Sequence, residues 1–464
     1  MSSPSSLLPL ETVDTCIVGA DPGGLSLAMG LAAAGTSVAV VLPPGGGLTL
    51  QDLALRLAVL RTATAGDASG TWSDVKRRIT AAVGSQAVNG APRRLASAGI
   101  RVIEGTATFT GPRSLAAGGR AVEARRFVLA LGSAPRLPAV PGLDAVPVLT
   151  PDTVWDLDAL PVHLAVVGGD AAALTLAQGV RRLGARVTLF APENLLPGHD
   201  PDMAAALRDR LLTDGVTLFE QARVTGLERR DEGIVLTASR GGEDGALAAS
   251  HVLASAGRLP ALDGLDLEAA GVTHGPAGIA VDGALATANR RILAIGEASD
   301  PAADAGLSER QAALLAPHIL LRRAVRAGDL LPIRSVATSP ALVEIGSGEA
   351  EARRRDPRCR VLRLPIGESP AAHVGGSPEG HVKLIVSAKG RLLGAAILAA
   401  EAPAIAAPIA LAMGKGLGVH DLAAIQLPYP GVSDIGKRTA LAYFSNRLSN
   451  PWIRRTIRLL RWLG

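Results

Sequence analysis

TCIVGADPGGLSLAMGLAAAGTSVAVVL, the stretch from Thr15 to Leu42, decides the fold. An apolar run from Cys16 to Val18 enters a Gly-rich turn and leaves as a helix of small residues, so the stretch reads as strand, tight turn, helix and strand. A second copy, LAVVGGDAAALTLAQGVRRLGARVTLFA, runs from Leu164 to Ala191 and aligns without a gap. Gly19 falls on Gly168, Asp21 on Asp170, Gly24 on Ala173, Gly35 on Gly184 and Val38 on Val187. Two Rossmann-like βαβ units of the nucleotide-binding type are therefore predicted. Each departs from G-x-G-x-x-G at the position whose bare hydrogen lets the backbone approach a pyrophosphate. Asp21 and Asp170 stand where that second Gly is wanted.

At 464 residues the chain exceeds one hydrophobic core and predicts about two to four domains. With 53 Gly and 48% hydrophobic residues the profile is α/β, and 2% aromatic residues leave few rings to stack nucleic-acid bases. A net charge of +5 over this length adds little, much of it lying at the far C-terminus, so no nucleic-acid partner is expected. The two cysteines, Cys16 and Cys359, form no C-x-x-C or C-x4-C spacing, and the eight histidines are scattered without metal spacing. A disulfide framework and a metal site are thereby excluded from the expectations. Cys16 reads as a small core residue and Cys359, among Arg and Asp, as an exposed thiol. The opening MSSPSSLLPLETVDT lacks a basic, long-apolar leader, which makes the cytoplasm the default address. The most apolar run, Ala395 to Met413, is broken by Glu401, Pro403 and Pro408 and reads as a buried or interface helix.

Along the chain, helices are predicted over Leu48 to Ala63, Trp72 to Val88 and Pro201 to Gly215. A Pro-rich exit after Gly132 marks a boundary near residue 150. Strand-like runs at Arg360 to Leu364, His381 to Val386 and Gly394 to Leu398 begin a different pattern. The predicted organisation is residues 1–150 with 280–330 as one nucleotide-type domain and 151–279 as a second. Residues 331–449 form an α+β domain and 450–464 a basic amphipathic helix.

The order of motifs resembles the class I pyridine nucleotide-disulfide oxidoreductases, the group of dihydrolipoamide dehydrogenase, glutathione reductase and mercuric reductase. VGADPGG resembles their FAD turn, LALGSAPRLPAVPGL their A-T-G-S-x-P segment, VVGGDAAALTLAQ their NAD(P) turn and SAGRLPAL their G-R-x-P segment. AIGEAS resembles their second flavin contact, Val336 to Ala352 the start of their dimerisation domain, and QLPYPGVSDIGKRTA their H-P-T-x-S-E ending. The resemblance implies an α/β fold of FAD-type and NAD(P)-type domains plus a C-terminal dimerisation domain, a homodimer, and FAD and NAD(P) as cofactors. It also implies a degenerate active site. The register puts Thr49 and Ala54 at the two redox cysteine positions, Ala58 at the flavin-facing Lys and Thr175 at its acid. Tyr429 and Asp434 fall where the family has its His-Glu base pair.

For the cofactors, the resemblance carries Gly19, Asp21, Gly23, Gly24, Leu42, Gly47, Gly132, Ser133, Gly296 and Glu297 over as the FAD contacts. Gly168, Asp170, Ala173 and Ala191 are their counterparts for NAD(P), and Gly257 of the G-R-x-P segment is a further cofactor contact. Leu42 replaces the acid for the adenine ribose, Asp21 sets a carboxylate near the phosphates, and Glu297 keeps an acid one methylene longer. Ala191 offers neither an acid for NAD nor a cation for NADP. The bland alternative keeps these glycines for the turns alone, and makes Tyr429 a packing residue. In the tail NPWIRRTIRLLRWLG, Asn450 caps, Pro451 takes the first helical position, and Arg454, Arg458 and Arg461 share one face. Either an anionic membrane surface or a partner subunit would suit it.

The reading that follows is an FAD-dependent pyridine-nucleotide oxidoreductase without the redox disulfide, passing electrons from NAD(P)H to a small non-disulfide acceptor. Its expected place is the cytoplasm, with peripheral contact at the inner membrane face. The alternative is a non-catalytic scaffold of the same fold that binds a partner or membrane surface.

Overall fold

The computed structural model describes residues 8–44, 49–65, 70–90, 92–231, 233–300 and 303–448, with Arg455, Arg458, Arg461 and Trp462. Gly47 and most of the 450–464 helix lie outside the described residues; the four described tail residues are helical and exposed. The architecture is mixed α/β, and the chain divides into two compact units. One comprises Met1–Ala63, Ser69–Leu160 and His251–Leu330, and the other Thr64–Ala68, Pro161–Ser250 and Leu331–Gly464. Among the described residues no helix is long and apolar enough to cross a membrane.

In the first unit, the parallel strands Arg101–Glu104, Val38–Leu42, Leu10–Val18 and Arg120–Leu129 lie side by side in that order. The sheet continues antiparallel through Ser114–Ala117 and Thr108–Gly111, while Ile292–Ala294 pairs in parallel with Phe127 to Leu129. Val38–Leu42 is buried at every position, as a strand covered on both faces requires. The helix Pro22–Ala33 starts on the cap Asp21 with proline in its first turn and gives way to Gly35 at φ 82°. It buries Leu27, Ala28 and Leu31 with Ile17, Val40 and Val128. On the sheet's other face Phe109 and Phe127 meet edge to face at 5.3 Å between centroids.

Two stretches expected in the second nucleotide unit belong instead to the first. Leu265, Leu267, Ala270, Val272 and Ile279 share a core with Phe109 and Phe127, and residues 251–279 fall in the first unit with them. Residues 151–160 are held by Trp155, which stacks on Trp72 at 6.1 Å, and by the Trp72 indole N–H donating to Leu157 O.

In the second unit, His163–Val167, Arg186–Ala191 and Thr217–Glu220 are parallel, with the helix Ala171–Arg182 between the first two. A meander of Ala222–Arg230, Gly233–Arg240 and Glu243–Ala249 follows. The C-terminal part is an antiparallel sheet in the order Ile333–Val336, Ala341–Gly346, Leu392–Ala399, His381–Val386 and Arg360–Pro365. The apolar run predicted as one helix is divided: Ala395 to Ala399 completes a strand, and the helix Ala402–Gly414 begins after it. Small apolar residues buried in both elements conceal the change of period. Cys359, expected at the surface, is buried with Ala352 and Ile385 despite its charged neighbours.

Sequence reasoning gave no warning of Lys383, which is only 1% exposed. Its Nζ donates to Asp200 Oδ2 at 2.6 Å and to Asp202 Oδ2 at 2.9 Å, and lies 2.7 Å from Glu349 Oε2. Asp200 also caps the helix Pro201–Thr213. Beside it, Glu344 pairs with His199 at 2.6 Å and Arg334 at 3.0 Å and accepts from the Asp200 amide. The three carboxylates around Lys383 are grouped closely enough for a cation, and the lysine ammonium is that cation.

Lys383→Met leaves these acids facing one another, so it is expected to lower stability by about 3–5 kcal/mol. The Lys383 hydrogen bond, with help from Arg353, holds the Glu349 carboxyl at about 2. A depressed carboxyl stabilises above its unfolded value and loses that contribution as the pH falls. Wild-type stability should therefore decline from about pH 4.5 towards about pH 2, with a shallower decline in the variant. Urea midpoints measured against pH check both, and equal midpoints at neutral pH would remove the network's structural role.

Candidate functional site

In the first unit a cleft of about 450 Å³ opens where the strand Leu10–Val18 ends. Gly19, Asp21, Thr49, Leu131, Gly132, Ser133 and Asp152 are among its lining residues. Gly19 has φ 113°, and a Cβ there would stand 1.9 Å from Ala130 O, so only glycine permits the turn. Gly23 is pressed on the Ser308 backbone and Gly24 on the Ala130 side chain. Packing alone therefore demands these three glycines. Gly132, at φ 71°, has open space where a side chain would be.

Asp21 is 7% exposed. Its Oδ1 accepts from the Gly23 amide at 2.9 Å, which satisfies a donor at the start of the helix Pro22–Ala33. Burial pushes its carboxyl above the usual range, against hydrogen bonds from Ser308 and the Gly23 and Gly24 amides. Leu42 is a core residue packed with Val38 and Val40 and presents no acid.

Glu297 is 6% exposed and accepts from Ser133 Oγ. Its other oxygen, Oε2, is buried with no hydrogen-bond partner, and Arg258 Nε lies 3.6 Å from Oε1. Burial pushes the Glu297 carboxyl up, while Ser133 and Arg258 oppose the shift. Arg258 fixes this end of the cleft by donating to Asp152 at 2.7 and 3.2 Å, to Ser133 Oγ at 2.6 Å and to Ser133 O at 2.8 Å. Arg258 and Asp152 were absent from the predicted site. The G-R-x-P segment carried Arg258, but nothing local marked Asp152 as its partner. Gly257 supplies the carbonyl that accepts from Arg136, and the Gly296 amide donates to Gln311. Thr49 caps the next helix through Asp52 and borders the cleft; Ala54 and Ala58 are not among the lining residues.

The second unit repeats the turn. Gly168 has φ 138°, and Asp170 caps the helix Ala171–Arg182 by accepting from the Ala173 amide at 2.8 Å. Ala173 and Ala191 are buried, the latter against Gly169. Tyr429 is 76% exposed, and Asp434 is tied to Arg438 rather than to Tyr429. The structure thus brings Asp21, Gly132, Ser133 and Glu297 into one region without pairing Tyr429 and Asp434.

Because Asp170 acts as a cap, Asp170→Ala is expected to lower stability by about 0.5–2 kcal/mol, and Asp170→Asn, which retains an acceptor, by much less. Chemical denaturation of the two variants distinguishes a cap from a bystander.

The pyridine nucleotide-disulphide oxidoreductase family model matches residues 13–315, and that family's dimerisation domain matches 333–440. A mercuric reductase from Streptomyces lividans is 34% identical over 356 residues, covering 75% of this chain and 75% of that protein. A dihydrolipoyl dehydrogenase from Thermus scotoductus is 30% identical over 379 residues, 79% of this chain and 78% of that one. In fold, the HOCl-induced flavoprotein disulfide reductase RclA from Escherichia coli, solved as a Cu(II) complex, superposes with a TM-score of 0.85. Its identity is 24%, over 93% of this chain and 99% of that one. Family members bind FAD, typically use NAD(P) and carry out oxidation–reduction, and the dimerisation domain supports homodimer formation. The chain belongs to the pyridine nucleotide-disulphide oxidoreductase family.

Proposed function

We propose that this chain is an FAD-dependent pyridine-nucleotide oxidoreductase that works without a redox-active disulfide and serves a small non-disulfide acceptor. The observation that carries this reading is Thr49 bordering the cleft while both cysteines are free and buried elsewhere. Cys16 is fully buried, and burial pushes its thiol up to about 12, which keeps it protonated and unreactive. Cys359 lies in the other unit, packed on Ala352 and Ile385.

The buried, unpartnered Glu297 Oε2 and the open face of Gly132 fit a hydroxyl-bearing flavin chain. Glu297 and Ser133 would hold that chain, with Arg258 fixing both, and the Gly19–Gly24 turn would lie along the phosphates. FAD, when bound, supplies hydride acceptance from NAD(P)H and electron delivery to the acceptor. In the second unit the turn at Gly168 and Asp170 would take the nicotinamide nucleotide.

The scaffold reading is favoured by one observation, that Asp21 and Asp170 both cap the helices whose amides would meet phosphate. A yellow purified protein, absorbing near about 450 nm and oxidising NAD(P)H with a quinone or oxygen, is the outcome expected of the enzyme. Reduction of lipoamide, glutathione disulfide or Hg(II) should be absent. Turnover of any of these would overturn the proposed loss of the thiol relay, and a colourless protein that no flavin restores would favour the scaffold.

A peripheral attachment through residues 450–464 follows from their four arginines and two tryptophans, with the cytoplasm as the proposed location. Changing Arg454, Arg458 and Arg461 to Gln should abolish salt-sensitive co-sedimentation with anionic vesicles and leave neutral vesicles unbound. Equal binding by both proteins would make the helix an interface element.

A further inference from the structure

We propose that the cleft takes up FAD together with a proton, the dinucleotide being accommodated when Asp21 is neutral, so that affinity rises as the pH falls. This rests on the flavin reading above and adds to it how occupancy is regulated. A helix N-terminus holds a pyrophosphate through its free amides and its dipole. Here the Gly23 amide is already bonded to Asp21 Oδ1, and that carboxylate is buried at the mouth of the turn. An arriving pyrophosphate diester keeps both its charges through the neutral range, and the ionised Asp21 would face it directly.

Among the described residues lining the cleft, no cation offsets that repulsion. The described residues lining the cleft include Asp21, Asp152 and Asp263 and contain no lysine, arginine or histidine. From the helix Leu307–Leu321, Ser308 bonds Asp21 and Glu309 adds negative charge. From the turn after Ile292–Ala294, Glu297 adds more, and Asp152 acts on Glu297 in the same sense. Arg258 is bonded to Asp152 and Ser133, and the rest of its charge faces Glu297 Oε1 at 3.6 Å rather than Asp21. Protonation resolves the conflict without dismantling the turn. The carbonyl oxygen of a neutral Asp21 still accepts from Gly23, and its O–H becomes a donor for a phosphate oxygen. Burial already favours the neutral form before any ligand arrives. The proton comes from solvent and returns to it when FAD leaves.

The test is FAD affinity, by quenching of flavin fluorescence, across about pH 5.5 to 8.5, for the wild type, Asp21→Asn and Glu297→Gln, with uncharged riboflavin as a second ligand. Asn keeps the helix cap, and circular dichroism at each pH shows that the variant is folded. The wild type should lose up to about tenfold in FAD affinity per pH unit above the titration of Asp21. Asp21→Asn should bind at all pH values as the wild type does at low pH, Glu297→Gln should keep the slope, and riboflavin should show none. Calorimetry in two buffers of different ionisation enthalpy should find about one proton taken up per FAD. A flat wild-type profile with FAD bound, or a slope abolished by Glu297→Gln but kept by Asp21→Asn, overturns the proposal and leaves the flavin reading standing. Failure of all three proteins to bind either flavin at any pH overturns both.

Discussion

The first unit depends on the contact of Gly19 with Ala130. The end of the strand Leu10–Val18 approaches the end of Arg120–Leu129 so closely that a single methyl group at Gly19 would overlap the Ala130 carbonyl. Three backbone bonds hold the junction: Gly19 N–H to Val41 O, Ala130 N–H to Val18 O and Asp21 N–H to Ala130 O. With the strands so placed, the helix Pro22–Ala33 can lie only on one face of the sheet, its Leu27 and Leu31 in the core and Gly23 against the Ser308 backbone. The cleft is the space left beyond this junction.

The same contact explains why the glycine pattern survives beside altered chemistry. Gly19, Gly23 and Gly24 are each required by neighbouring protein atoms, so the turn would be retained whatever lay in the cleft. Asp21 is a different case, because nothing in the packing demands a carboxylate there. Its side chain serves the helix as a cap, and Asp170 does the same in the second unit. In each unit one of the amides at the helix start, where a free amide can meet an anion, is thus bonded by a side chain from within the chain. Glu297 has the opposite character, a buried acid with one oxygen left unbonded beside the residues that line the cleft.

In the second unit the organising charge is Lys383. An ammonium removed from water is costly alone and tolerable when several carboxylates are held around it. The cap Asp200 performs two tasks, ordering the start of the helix Pro201–Thr213 with one oxygen and accepting from Lys383 with the other. That couples the parallel strands and helices of this unit to its antiparallel sheet through one hydrogen-bonded group.

The sequence by itself determined the two βαβ repeats, the glycine turns, the carboxylates Asp21 and Asp170 as departures from the motif, and the family, whereas the role of both as helix caps came from the structure. These features are encoded by residues adjacent in the chain, where apolar period and turn chemistry are read directly. It also determined that no cysteine follows Cys16 before Cys359. Only the tertiary structure decided that Leu265, Leu267, Ala270, Val272 and Ile279 share a core with Phe109 and Phe127, that Cys359 is buried, and that Ala395 to Ala399 is strand. The partnership of Arg258 with Asp152, 106 positions apart, and the burial of Lys383 among acids up to 183 positions away were likewise decided there. The reason is physical: a single position carries no record of the distant charge or ring that will be folded against it. Burial and pairing are therefore properties of the assembled core, whereas turns and periods belong to the local chain.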